Sequence, residues 1–148
     1  MTVSPELNPG ELILRSLRES TVTAFDRAAE DAWRLDFEAA GLNIGCVWRL
    51  VSGKSIVLAG SDHGQKFGLP QPVDVCSEAL RLISGRPVES VRIDEITADL
   101  SITFSGDMRL DLFNDSSGYE GWTFTDSSGL MLVAQGGGRI VIWKSKSS

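Results

Sequence analysis

Apolar residues recur along this chain at two spacings, every third or fourth position in two short stretches and every second position nearly everywhere else. The first spacing marks one face of a helix and the second a half-buried strand. Asn8-Pro9-Gly10-Glu11 offers an N-cap, a proline in the first helical turn and an acid at the third position, and Ile13, Leu14 and Leu17 follow on one face. A short helix through Arg18 is predicted, with residues 1–7 as a loose tail. From Ser20 the period becomes two. Val22, Ala24 and Phe25 make a first strand, and Trp33, Leu35 and Phe37 alternate with Arg34, Asp36 and Glu38 in a second with one buried and one wet face. Leu42, Ile44, Cys46, Trp48 and Leu50 share one face of a third long strand. After a turn at Ser52-Gly53-Lys54, residues 56–59 are apolar on both sides, which predicts a strand covered on both faces.

The polar, Gly- and Pro-rich stretch 61–72, SDHGQKFGLPQP, reads as a connection. Asp74 then caps a second helix to about Ser84, with Cys76, Ala79, Leu80 and Ile83 on its apolar face, ended by Gly85 and Pro87. The order of strands returns after it: Val88, Val91 and Ile93 with an irregularity; Leu100, Ile102 and Phe104; Met108, Leu110 and Leu112; Trp122 and Phe124; residues 130–134; and a last strand over 139–144 before a frayed KSKSS tail. WRLVSGKSIVLAGSDHG (48–64) aligns without a gap on WTFTDSSGLMLVAQGGG (122–138) at an offset of 74, placing Trp48 on Trp122 and Gly64 on Gly138. Phe37 matches Phe104 at an offset of 67, so the second copy carries 7 extra residues, NDSSGYE, at 114–120. The pattern predicts an α+β, antiparallel β-rich fold: a single compact domain over 1–148 with an internal duplication, 11–70 and 73–144, of two tandem helix-plus-β-meander units related by a pseudo-two-fold axis.

Composition narrows the function classes. No apolar run approaches the roughly 20 residues that span a bilayer, and the N-terminus has no basic region before an apolar one, so a cytoplasmic, non-membrane protein is expected. A net charge of −6 with a pI near 4.7 argues against nucleic acid, which needs clustered Lys and Arg, and suits a partner with a basic surface. One histidine, His63, rules out a multi-His metal centre within one chain, and two cysteines without C-x-x-C spacing are expected to be reduced. Neither a metal nor a cofactor is implied.

The strings CVWRLVSGKSIVL, DHGQKFGLP, FNDSSGYEGW and AQGGG, spread over residues 46–143, resemble a group of small uncharacterised bacterial proteins. Some members of the group sit near polymorphic toxin genes and are suspected immunity proteins. The resemblance implies a binding role in which a toxin is neutralised by occupation of its surface, and it carries no catalytic residues.

Two loops hold the candidate binding residues. In the first, Asp62, His63, Gln65 and Lys66 bring a carboxylate, an imidazole, an amide and an ammonium together. His63 as a general base is the enzymatic reading, but adjacent Asp and His project differently, and such loops ordinarily use these residues to tie down backbone. In the second, Asn114, Asp115, Tyr119 and Glu120 lack calcium-loop spacing and read as an Asx-turn loop with an exposable aromatic. Cys46 lies in register with inward positions and is read as core, as is Cys76; the triple glycine 136–138 precedes a strand and suits close backbone packing. The leading expectation is a non-enzymatic interaction protein using the acidic and polar loops around Asp62 and residues 115–120. The alternatives are a small hydrolase using His63, or a sugar- or small-molecule-binding module between the units.

Overall fold

A computed structural model describes residues 8–18 and 20–145. The tail read at 1–7 and the last three residues of KSKSS lie outside them. Helix α1 (Pro9–Leu17) begins where Asn8 Oδ1 accepts the Glu11 N–H at 2.8 Å, and α2 (Val75–Ile83) where the Asp74 carboxylate accepts the Ser77 N–H at 3.3 Å. These side chains satisfy backbone donors that the first helical turn leaves without partners.

Among the described residues eleven strands follow the alternation: β1 (Val22–Ala29), β2 (Ala32–Phe37), β3 (Ala40–Ile44), β4 (Val47–Ser52), β5 (Ser55–Ala59), β6 (Val88–Ile93), β7 (Leu100–Phe104), β8 (Met108–Phe113), β9 (Trp122–Asp126), β10 (Leu130–Ala134) and β11 (Ile140–Lys144). All pair antiparallel, in a six-stranded sheet ordered β1-β2-β3-β9-β10-β11 and a five-stranded sheet ordered β5-β4-β8-β7-β6. The fold class is α+β, dominated by antiparallel strands. The two sheets share one core, in which Phe37 of the first stacks on Phe104 of the second at 6.5 Å and Trp33 meets Trp48 edge-on at 5.5 Å. Helix α1 packs on β6, and α2 on β1 and β5, so both helices close flanks of the sandwich.

Two strand expectations need correction. The long third strand is two strands in different sheets, for the chain crosses over at Gly45-Cys46. Its alternation continues without a break because both sheets face the same core, so an inward residue remains inward through the crossing. Residues 56–59 were expected to be covered on both faces, yet β5 is an edge strand paired only with β4. Leu58 is buried there, whereas Ile56 and Val57 are exposed. Such two-sided cover is found instead at residues 130–134, where β10 is flanked by β9 and β11 and only Met131 is exposed. The irregularity read in the strand from Val88 is a register shift between Val88 and Ser90.

Candidate functional site

The connection after β5 opens with a single 3-10 turn, Gly60–Asp62, whose Asp62 carboxylate turns back to accept the Ala59 N–H at 2.9 Å. His63 Nδ1 accepts the N–H of Val75 at 3.3 Å, and its ring stands edge-on to Trp33 at 5.9 Å. The imidazole nitrogen that a carboxylate would orient is therefore engaged by the first turn of α2. Asp62 and His63 tie down backbone and form no acid–base pair with each other.

Gln65 and Lys66 are exposed, and the backbone around them is folded back on itself. Gly64 N–H donates to the Val73 carbonyl (2.9 Å), Val73 N–H to that of Gln65 (2.8 Å) and Leu69 N–H to that of Lys66 (2.7 Å). The turn Lys66-Phe67-Gly68-Leu69 has both central residues in the left-handed region, Phe67 at φ 46° and Gly68 at φ 79°, the arrangement of a type I′ turn. Asparagine or glycine is the usual occupant of its first central position; a bulky residue there is an outlier. Phe67 is nevertheless 68% exposed, and Leu69 beside it is 55% exposed. Neither is among the binding residues expected from the sequence, where an aromatic before glycine in a polar loop is the one signal for them.

The second predicted cluster divides by role. Asn114 is a staple: its N–H donates to Asp99 Oδ1 (2.8 Å) and its Nδ2 to the carbonyls of Thr97 (2.9 Å) and Gln135 (3.0 Å). Ser116 Oγ accepts the N–H groups of Gly118 and Tyr119, and Gly136 packs so closely on Gly118 backbone that a Cβ would collide with it. That contact accounts for the first glycine of the triple. Tyr119 (82% exposed) and Glu120 project from this pinned loop. Among the described residues no group of His, Cys, Asp and Glu is placed to hold a metal ion.

Of the predicted residues, Asp115 alone reaches the cleft of about 540 Å³ at the ends of β4, β5 and β8, whose walls include Trp33, Cys46, Trp48 and Phe113. Asp62 lies on the other side of the 3-10 turn, in a smaller groove of about 450 Å³ shared with Val57, Phe67, Leu69 and Asp74. The two predicted clusters are thus not merged into one site. The Cys46 thiol is pushed up to about 12, by burial first and then by the negative charges of Asp115 and Asp99, so it is a protonated and unreactive wall of the cleft.

The alternation hid one further polar cluster. Asp111 is buried on β8 and accepts from Arg109 Nε (2.7 Å), Ser101 Oγ (2.9 Å) and Arg49 Nε (3.2 Å). Burial pushes its carboxyl upward, and the donors outweigh that to hold it below the usual carboxylate range. Compared with models of protein families, with curated proteins and with solved structures, the chain matches none.

Proposed function

We propose that this protein is a non-enzymatic interaction protein that binds a protein partner with a basic surface, acting in the cytoplasm as an immunity protein that neutralises a toxin by covering it. The observation that carries the reading is Phe67, held at φ 46° with most of its ring in water. A bulky residue in that region costs of order 1–2 kcal/mol against a conformation that asparagine or glycine adopts readily. The fold gains no burial in return, whereas a partner with an apolar pocket would. Val57 and Leu69 widen the apolar tip, and the carboxylates of Asp62 and Asp74 beside it suit basic residues on the rim of such a pocket.

The surface sits on a chain that we read as two units, 11–70 and 73–144. Supporting this, β1 and β6 both shift register just after their first paired residue, Val22↔Phe37 and Val88↔Phe104. Trp48 pairs with Leu112 and Trp122 with Ile44, so each unit lends the hairpin that begins with its tryptophan strand to the other unit's sheet.

The test uses purified proteins encoded beside this one, immobilised and probed for salt-sensitive binding. Phe67→Asn is expected to weaken the complex about tenfold or more while leaving the fold intact. Undiminished affinity in that variant would overturn the reading. So would an enzymatic turnover lost in His63→Ala while binding persists.

A further inference from the structure

The tryptophans of β4 and β9 differ in one respect. Trp122 donates its indole N–H to the Ala98 carbonyl at 2.8 Å, whereas Trp48, equally buried at 1% exposure, has no hydrogen-bond partner for its Nε1 among the described residues. Two connections of unequal length explain the difference. Residues 94–99 join β6 to β7 and fold the fully buried Ala98 in over Trp122. Only Glu30 and Asp31 separate β1 from β2, and where that short turn faces Trp48 the cleft of about 540 Å³ lies open. The nitrogen edge of Trp48 is buried against Gly60 on the cleft wall, where a Cβ would stand 2.6 Å from Nε1, so a residue larger than glycine would collide with the indole.

Charge specifies the occupant. Glu30, Asp31 and Asp115 line the cleft against one cation, Arg49, which is already held by Asp111 at 3.2 Å and laid over the Phe113 ring at 4.8 Å. A buried donor without an acceptor calls for an oxygen, and the surplus carboxylates call for a positive charge. A lysine or arginine within a peptide carries both, its cationic head for the carboxylates and its backbone carbonyl for the indole. We infer that the cleft beside Trp48 is an anchor pocket for a basic side chain of the protein partner, an inference that rests on the interaction function proposed above. Gly60 and Ser61 line this pocket, and Asp62 borders the groove of Phe67, so pocket and apolar tip lie on opposite sides of one turn.

The probe is the peptide acetyl-Gly-Arg-Gly-amide, titrated into the full-length, nitrogen-15-labelled protein, with the neutral citrulline peptide as control. The Trp48 indole resonance is expected to move saturably with the arginine peptide, about tenfold more weakly with citrulline, and more weakly in Asp31→Asn/Asp115→Asn, whose exposed substitutions spare the core. The Trp122 and Trp143 resonances are expected to stay in place. A stationary Trp48 signal, or equal response to both peptides, overturns the pocket. If Phe67→Asn still weakens binding to a protein partner in that event, the interaction function stands without this anchor. A responsive Trp48 beside unchanged Phe67→Asn affinity removes the apolar tip instead.

Discussion

Phe67 and Asp111 depart from what their neighbours in sequence suggest, in opposite directions: an aromatic left in water and a carboxylate taken out of it. Neither the left-handed φ of Phe67 nor the burial of Asp111 was legible beforehand. The φ of Phe67 is set by pairing of Gly64 and Gln65 with Val73, and Asp111 occupies an outward position on an alternating strand whose partners lie on β4 and β7. By contrast, the core roles of Trp33, Phe37, Cys46, Phe104 and Leu112 were readable from alternation alone, and all five are buried. For Phe67→Asn we expect an increase in unfolding free energy of about 1 kcal/mol in urea titration, since asparagine tolerates the left-handed region. For Asp111 the sign follows from a folded-state value held below the ordinary 3.8. Its stabilisation is full above the unfolded value and is lost as pH falls through the lower folded one. Asp111→Asn is expected to reduce stability at pH 7 by about 1–3 kcal/mol, the guanidiniums of Arg49 and Arg109 being partly in water, and to flatten the acid limb of the stability profile. Denaturation between pH 7 and 2 checks both; a variant with the wild-type acid slope would assign that limb to other carboxylates, Asp126 first among them, whose hydrogen bonds also outweigh burial to hold it low.

At the scale of elements, helices were the more legible because their start signals are local. Asn8 and Asp74 cap the helices that their sequences announce, and Asp74→Ala is expected to cost about 1 kcal/mol by freeing the Ser77 N–H, measured by thermal or chemical denaturation. An unchanged midpoint would mean that the Val75 N–H, held by His63, carries the cap by itself. Strands were legible as strands but not as members of a sheet. A period of two records which residues face the core and is silent on which edge a strand pairs with, so 42–50 read as one element although Gly45-Cys46 carries it from one sheet to the other. The same silence made residues 56–59 look interior. An edge strand bearing Ile56 and Val57 in water is a pairing hazard that a bulge between its pairs with Leu50 and Val51 partly blunts, by bending the strand away from flat geometry.

Across the whole molecule, one core joins two sheets that each draw strands from both halves of the chain. β3 pairs with β9 and β4 with β8, α1 packs on β6, and α2 packs on β1. Removing a large side chain from the middle of that core, as in Phe104→Ala, is expected to cost roughly 3–5 kcal/mol through lost burial and a residual cavity beside Phe37, and to shift a single cooperative transition without splitting it. The exchange of hairpins makes a sharper demand. A fragment ending at residue 70 keeps the two-stranded β4-β5 hairpin, marginal in water by itself, without β8, and a fragment starting at 73 keeps the β9-β10-β11 meander without β3, so each exposes an apolar face that the other fragment covers. Cut between residues 70 and 73, the two fragments are therefore expected to be largely unstructured apart and to regain the native indole environments of Trp48 and Trp122 when mixed. Circular dichroism of each fragment and nitrogen-15 spectra of the mixture measure this directly. A fragment 73–148 that folds cooperatively by itself would show that the second half carries a core of its own, and the reading of two interdependent units would give way to two autonomous ones.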